Sequence, residues 1–362
     1  MQPFDKQLII EDGSRYFGYS FGSSGDVVSE LVFNTSMVGY QEIISDPSYT
    51  YQTVVMSYPL IGNYGINDDD FETATPTISG LVVRDYNNLP SNFRSSKTLG
   101  QTMEKYGIVG IYGVDTRKIV RSIRDLGSRR CLITSVDTSV EEGLEIIRNT
   151  PIATDAVAKV SRKQEQRYFV DGDLHIVAID CGIKQNIIRS FNARGIDVTV
   201  VPWNTTASRI RELNPDGVFI SNGPGDPTDV KATISTIKSL IGKYPIFGIC
   251  LGHQILALAY GGKTYKLKFG HRGGNHPVKN LVTDHIEITS QNHSYAVDRD
   301  SLQGTGLGIT HVNLLDGTVE GMRNVRDKVF SVQYHPESAP GPNDSGYLFD
   351  EFITTVKENK NA

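Results

Sequence analysis

The stretch "FGICLGHQ", Phe247 to Gln254, sets a cysteine between two glycines as Gly248-x-Cys250-x-Gly252. The preceding "PIFGIC" reads as a strand and "GHQILALAYGG" as a helix, so Cys250 stands at an abrupt strand-to-helix turn. This is the cysteine counterpart of a nucleophile elbow, in which a tight, strained turn holds one side chain above a sheet. The glycines leave room where the strand and helix backbones pass close to each other. The position supplies chemistry too. The positive end of the helix macrodipole favours thiolate over thiol, and the N–H of Leu251 can meet an oxyanion. A buried structural cysteine is the alternative, and Cys181 in "IDCGIK" competes from another strand end without the full glycine frame.

A nucleophilic thiolate needs a base, and an imidazole serves better when a carboxylate holds its other nitrogen. "QYHPES" offers both. Pro336 keeps the segment extended, so His335 and Glu337, two residues apart, point the same way. Such a pair on its own also fits a surface ion pair; beside an elbow it completes a triad. His253 lies three residues after Cys250, where a helix carries it away from the turn, and reads as a packing or capping residue. His271, His276, His285 and His293 show no recognisable ligand spacing and no acidic companions, so no metal site is expected. "GGKT" at 261–264 is no phosphate loop, because Ala257 stands where a glycine is required. "NGPGDP" at 222–227 lacks the dinucleotide fingerprint, yet its place after the strand "GVFIS" lets Gly223 or Gly225 give a second oxyanion donor.

These residues need elements to position them, and a chain of 362 residues has room for two domains. Residues 1–150 carry β-like runs, "RYFGYSF", "ELVFNTS" and "QTVVMSYP", and then the helix "DTRKIVRSIRDLG", which together suggest a smaller α+β domain. Asp115 caps that helix, Ile119, Val120, Ile123 and Leu126 form its apolar face, and Gly127 ends it. Arg117, Lys118, Arg121 and Arg124 form a basic face, either solvated or a docking surface. Residues 151–172 read as a linker. From 173 to 362 strand and helix alternate, the mark of a parallel α/β sheet whose ligands lie beyond the carboxyl ends of the strands. Past Gly262 the pattern turns β-rich before a last helix near "DSGYLFDEFITTVKE".

Composition narrows the chemistry. A formal charge of -5 gives no global attraction to nucleic acid or anionic membrane, which leaves small-molecule chemistry. The start "MQPFDKQLIIEDGS" lacks a basic region followed by an apolar core, so a cytoplasmic protein is expected. Cys131, Cys181 and Cys250 show no paired spacing and read as reduced thiols.

In their order, "NGPGDP", "GICLGHQ" and "HPE" resemble the three motifs of the class I, triad-type glutamine amidotransferases. The resemblance covers nearly the whole chain. "EDGSRYFGYSFG", "LVFNTSMVGYQEIISDPSYTYQ", "GVDTRKIVRSIR", "KFGHRGGNHPVKN", "SQNHSYAVD" and "HPESAPGPND" are similar to the small, glutamine-hydrolysing subunits of carbamoyl-phosphate synthases. It implies a class I glutaminase domain with Cys250 as nucleophile and His335 and Glu337 as its partners. It places the glutamine pocket at Ser48, Gly223, Gly225, Leu251, Gln254, Asn292, Ser294 and Tyr295. It further implies delivery of ammonia to a large subunit that uses ATP, magnesium and bicarbonate to make carbamoyl phosphate for arginine and pyrimidine synthesis, with no cofactor in this chain. The family usually has Gly where Ser294 stands and often Phe in place of Tyr295, a departure that bears on glutamine affinity. A glutaminase serving another synthase, a free-standing glutamyl hydrolase and a catalytically silent regulatory subunit are the competing readings.

Overall fold

The computed structural model describes residues 3–361 and divides into two compact units, Met1–Ala153 and Thr154–Ala362. Among the described residues no helix is long and apolar enough to cross a membrane.

The first unit is built on a closed seven-stranded barrel. Its order is Lys6–Ile10, Arg15–Gly22, Val109–Tyr112, Gly80–Val82, Gln52–Met56, Val27–Asn34 and Arg129–Ser135. Three consecutive pairs are parallel and the other four antiparallel, and with helices such as Leu99–Tyr106 and Thr116–Leu126 they make the α+β unit expected of residues 1–150. Helix Thr116–Leu126 starts where Asp115 accepts a hydrogen bond from the Lys118 N–H and ends at Gly127, whose φ of 96° suits glycine. Ile119 and Ile123 are buried, but Leu126 is 64% exposed, so the apolar face is one turn shorter than its spacing predicts.

The second unit is organised by one ten-stranded sheet. Gln166–Tyr168, Ile196–Pro202, Leu174–Asp180, Gly217–Ile220, Ile246–Ile249 and Val329–Val332 lead into Val319–Asn324, Ile286–Val297, Thr264–Asn280 and Gly308–Asn313. The five strands from Ile196–Pro202 to Val329–Val332 are parallel, and the rest of the sheet is antiparallel. Alternate side chains of Leu174–Asp180 enter two different cores. Ile176 and Ala178 pack with Ile187, Phe349 and Phe352, whereas Val177 and Ile179 pack with Ile210, Ile237 and Ile255. Helices therefore cover both faces, which explains the uninterrupted apolar run of that strand.

Residues 151–172 differ from the expected linker. They carry a short helix, Ala156–Val160, and the strand Gln166–Tyr168, which pairs antiparallel with Val198–Val200 at the edge of the sheet. Edge strands expose one face and half their backbone groups, so a polar, weakly periodic sequence is compatible with pairing.

Removing the Asp115 cap by Asp115→Ala should lower stability by about 1 kcal/mol. A denaturant midpoint equal to that of the unmodified protein would show that the cap contributes nothing.

Candidate active site

Strand Ile246–Ile249 ends at Cys250, and helix Leu251–Ala259 begins with the next residue. Cys250 has φ 54° and ψ -103°, a conformation sparsely populated for a residue with a Cβ. Close packing makes this turn possible. A Cβ on Gly252 would lie 2.3 Å from the Ile220 carbonyl oxygen, and one on Gly248 would lie 2.7 Å from that of Gly252. The Cys250 N–H donates to the Val332 carbonyl at 2.9 Å, tying the turn to the strand that leads to His335. Its Sγ lies 3.6 Å from the Asn292 carbonyl oxygen.

His335 and Glu337 reach the same place. The His335 backbone N–H donates to the Ser290 carbonyl at 2.9 Å, and its Nδ1 lies 2.7 Å from Glu337 Oε1. The other ring nitrogen, Nε2, is buried without a hydrogen-bond partner among the described residues, and Cys250 lies near enough to favour the charged ring. Burial works against a charged ring, but Glu337 and Cys250 together hold the His335 pKa well above the ordinary imidazole range. Burial likewise opposes ionised Glu337, and the Lys184 and His335 cations overcome it and hold that carboxyl low.

Lys184 is the residue that motif reading missed. Its ammonium lies 2.9 Å from Glu337 Oε1 and donates to the Ser338 carbonyl at 2.5 Å, and both Lys184 and Glu337 are buried. Asn186 adds a 2.5 Å bond from its side-chain amide to the Glu337 carbonyl. The local signal was a lysine four residues after the end of a buried strand in "DCGIK", but its partner lies 153 residues on and no local pattern links them.

The expected pocket residues separate by unit. Leu251 opens the elbow helix, where the first N–H groups have no partner within the helix. Gly223 packs so tightly that a Cβ would lie 2.1 Å from the Cys181 carbonyl oxygen and 2.8 Å from the Leu251 side chain. Gly225 adopts φ +86°. Gln254 donates from Nε2 to the Tyr295 carbonyl at 2.8 Å and to Gln333 Oε1 at 3.0 Å. Asn292, Ser294 and Tyr295 follow one another on the strand Ile286–Val297. Ser294 has no positive φ, so serine there brings none of the strain that a glycine-requiring backbone would impose. Its hydroxyl instead accepts from Arg272 Nη2 at 2.5 Å. Ser48 belongs to the first unit, in the turn Pro47–Tyr49, where its N–H is held by Asp46. It is not one of the residues gathered by the second unit.

The competing residues fall away on geometry. Cys131 and Cys181 are buried, and burial raises both thiols, Cys131 to about 12. His253 is buried, bonds Ser331 Oγ through Nδ1 at 2.9 Å, and is held neutral by a pKa pushed down to about 3.

The histidine cluster does have acidic companions, contrary to the sequence reading, because the neighbouring hairpin of Gly308–Asn313 and Val319–Asn324 brings Asp316 and Glu320 beside it. His271, His293 and Glu320 each offer a ligand atom within 4.8 Å of the others, a grouping that could hold a metal ion. Those atoms already have protein partners. Glu320 Oε1 accepts from Asn313 and Thr318, His293 Nε2 meets Gln291, and His271 lies between Asp316 and Glu320. Burial opposes charge on His271, yet the two carboxylates raise its pKa to about 9.

Two family models match the chain: carbamoyl-phosphate synthase small chain, CPSase domain, over residues 8–133, and glutamine amidotransferase class-I over residues 177–355. The chain belongs to the carbamoyl-phosphate synthase small-chain family. The curated carbamoyl phosphate synthase small chain of Fusobacterium nucleatum is 52% identical over 356 residues, covering 98% of this chain and 99% of that one. The one from Staphylococcus epidermidis is 54% identical over 98% of this chain and 97% of its own length. That of Chlorobaculum tepidum is 52% identical over the whole of both chains. Members of this small-chain family thus align with both units, and the class I model spans Cys250, His335 and Glu337.

Two measurements follow from the charges. Lys184→Met would leave a buried carboxylate without one of its two cations and should destabilise the protein by about 3–5 kcal/mol in denaturant unfolding. A loss below about 1 kcal/mol would mean that the ion pair is not what holds Glu337. His271, raised above its ordinary 6.5, contributes stability that is complete below that pH and is lost as pH rises through about 9. The stability cost of His271→Asn should therefore be large at pH 6 and shrink by pH 10; an equal cost at both would contradict the charge on the ring.

Proposed function

We propose that this chain is the glutaminase subunit of a carbamoyl-phosphate synthase, and that Cys250, His335 and Glu337 perform the hydrolysis. The observation that carries the reading is the strained Cys250 elbow joined to a buried His335–Glu337 pair, on a chain whose first unit matches the small-chain domain. The Cys250 thiolate attacks the side-chain carbonyl carbon of glutamine. The N–H of Leu251 and one from Gly223 or Gly225 take the oxyanion, each worth on the order of a hundredfold or more in rate. His335, charged and oriented by Glu337, gives its proton to the departing ammonia. Water, deprotonated by His335, then cleaves the glutamyl thioester and releases glutamate.

Ammonia is mostly protonated at neutral pH and then no longer nucleophilic, so it must pass by a sheltered route to the site that consumes it. The partner is a large subunit that makes carbamoyl phosphate from bicarbonate and ATP with magnesium, as a heterodimer in the cytoplasm, for arginine and pyrimidine synthesis. The first unit provides docking surface, and the exposed Arg117, Lys118, Arg121 and Arg124 face is a candidate for it. The match over residues 8–133 favours this assignment over a glutaminase serving another synthase. The assembled thiol, imidazole and carboxylate favour catalysis over a silent regulatory role.

The test is carbamoyl phosphate formation by this chain with a purified large subunit, bicarbonate, ATP and magnesium. Cys250→Ala should abolish synthesis from glutamine and leave synthesis from added ammonia intact. Glutamine-dependent synthesis by the alanine variant would refute the nucleophile. A wild-type complex that uses ammonia but never glutamine would refute the assignment.

A further inference from the structure

The chain that leaves strand Val329–Val332 meets the elbow helix with every second residue. Ser331 Oγ lies 2.9 Å from His253 Nδ1, the Gln333 side-chain oxygen accepts from Gln254 Nε2 at 3.0 Å, and His335 comes near Cys250. His335 serves the chemistry. Gln333 has no part in the triad, yet it is 0% exposed, and its backbone N–H donates to the Glu320 carbonyl at 2.9 Å. Its side-chain nitrogen is buried and has no hydrogen-bond partner among the described residues. A buried donor left without an acceptor costs free energy, so this orientation of the amide needs a cause.

The cause is a succession of donors and acceptors that starts at the backbone. The Tyr295 carbonyl only accepts, so the Gln254 amide must turn its NH2 toward that oxygen, which it meets at 2.8 Å. An inverted Gln254 would set oxygen against oxygen. The second hydrogen of the same NH2 then points at Gln333, which must answer with its own oxygen. An inverted Gln333 would set NH2 against NH2. Gln333 thus leaves its nitrogen unpaired while Gln254 has both hydrogens engaged.

The oxygen of Gln254 takes its direction from these two bonds. The last torsion of a glutamine side chain is broad and roughly two-fold, so a single bond leaves the amide plane free to swing. Two bonds from one nitrogen fix the plane and hold Gln254 Oε1 away from both Tyr295 and Gln333. Among the described residues nothing donates to that oxygen. An open acceptor suits a donor of the substrate, and glutamine brings two, its α-ammonium and its side-chain amide.

We propose that Gln333 is a positioning residue for glutamine binding: its side-chain oxygen fixes the plane of the Gln254 amide, so that Gln254 Oε1 is presented to the substrate as an acceptor. In this role Gln333 acts only through Gln254 and touches neither glutamine nor the thiol. The inference rests on the glutaminase reading and on the place of Gln254 in its pocket, and it deepens both by naming what aims that residue.

The experiment compares Gln333→Met, Gln333→Glu, Gln254→Met and the double variant Gln254→Met with Gln333→Met, each in complex with the large subunit, with glutamine and then ammonia as nitrogen donor. Methionine keeps the length of the side chain and removes both hydrogen-bonding ends. Gln333→Met should raise KM for glutamine by about tenfold, with kcat at saturating glutamine and ammonia-dependent synthesis within about twofold of wild type. Gln333→Glu keeps an oxygen toward Gln254, so its KM should stay within about twofold, whatever the buried charge does to the melting temperature. In the Gln254→Met background, Gln333→Met should change KM by no more than about twofold, since the residue it aims is gone. A merely structural role would lower kcat, or would multiply the two KM effects in the double variant; either result overturns the proposal. So would an unchanged KM in Gln333→Met, or a Gln333→Glu complex as impaired in KM as Gln333→Met. Should one Gln333 variant fail to fold, the other decides by its own KM. A wild-type complex active with ammonia but not with glutamine would overturn the glutaminase reading, and this inference with it. A glutamine-active wild type whose KM is unchanged by Gln254→Met would overturn this inference and leave the glutaminase reading standing.

Discussion

Glu337 is a buried carboxylate with cations on two sides, and much of the second unit is arranged to make that tolerable. Taking an ion out of water costs several kcal/mol even after relaxation, and that cost is recovered only with good geometry. Here one oxygen meets both the His335 ring, at 2.7 Å, and the Lys184 ammonium, at 2.9 Å. The same arrangement that balances the buried charge orients His335, so stability and reactivity depend on one set of contacts.

That set is assembled from separate stretches of chain. Lys184 follows the strand Leu174–Asp180, and its backbone N–H is held by Asn222 Oδ1 in the "NGPGDP" loop. Cys250 ends the neighbouring strand, His335 follows Val329–Val332, and Ser290 on the antiparallel part of the sheet secures the His335 backbone. The sheet changes from parallel to antiparallel at Val329–Val332, the strand that leads to His335. The parallel half supplies the elbow and the cation at strand ends, and the antiparallel half supplies the segment Asn292 to Tyr295.

What could be read from residues alone was what local spacing encodes. The elbow was legible because Gly248 and Gly252 are demanded by contacts within a few residues and one neighbouring strand. His335 and Glu337 were legible because an extended segment puts i and i+2 on one side. Lys184 and Glu320 were not, since each acquires its meaning from a partner placed by sheet order. The acidic companions of the histidine cluster were missed for that reason: Asp316 is 45 residues from His271 yet 2.9 Å from it. The strand Gln166–Tyr168 was read as linker because its pairing with Val198–Val200 leaves no trace in its own polar sequence. Leu126 has the spacing of a core residue, and periodicity does not reveal that the last turn of its helix is left uncovered.

The pairing of Ile246–Ile249 with Val329–Val332, in which Phe247 faces Phe330 and Ile249 faces Val332, has a consequence for biosynthesis. A ribosome delivers Cys250 85 residues before His335, which follows that second strand. Until that late strand docks between its neighbours, Cys250 has neither its backbone anchor at Val332 nor an imidazole beside it. Such distant pairing is slow to close and forms cooperatively with the rest of the sheet. The growing chain therefore carries Cys250 for more than eighty residues without its backbone anchor or its imidazole neighbour, and the cluster is assembled only when the sheet is complete.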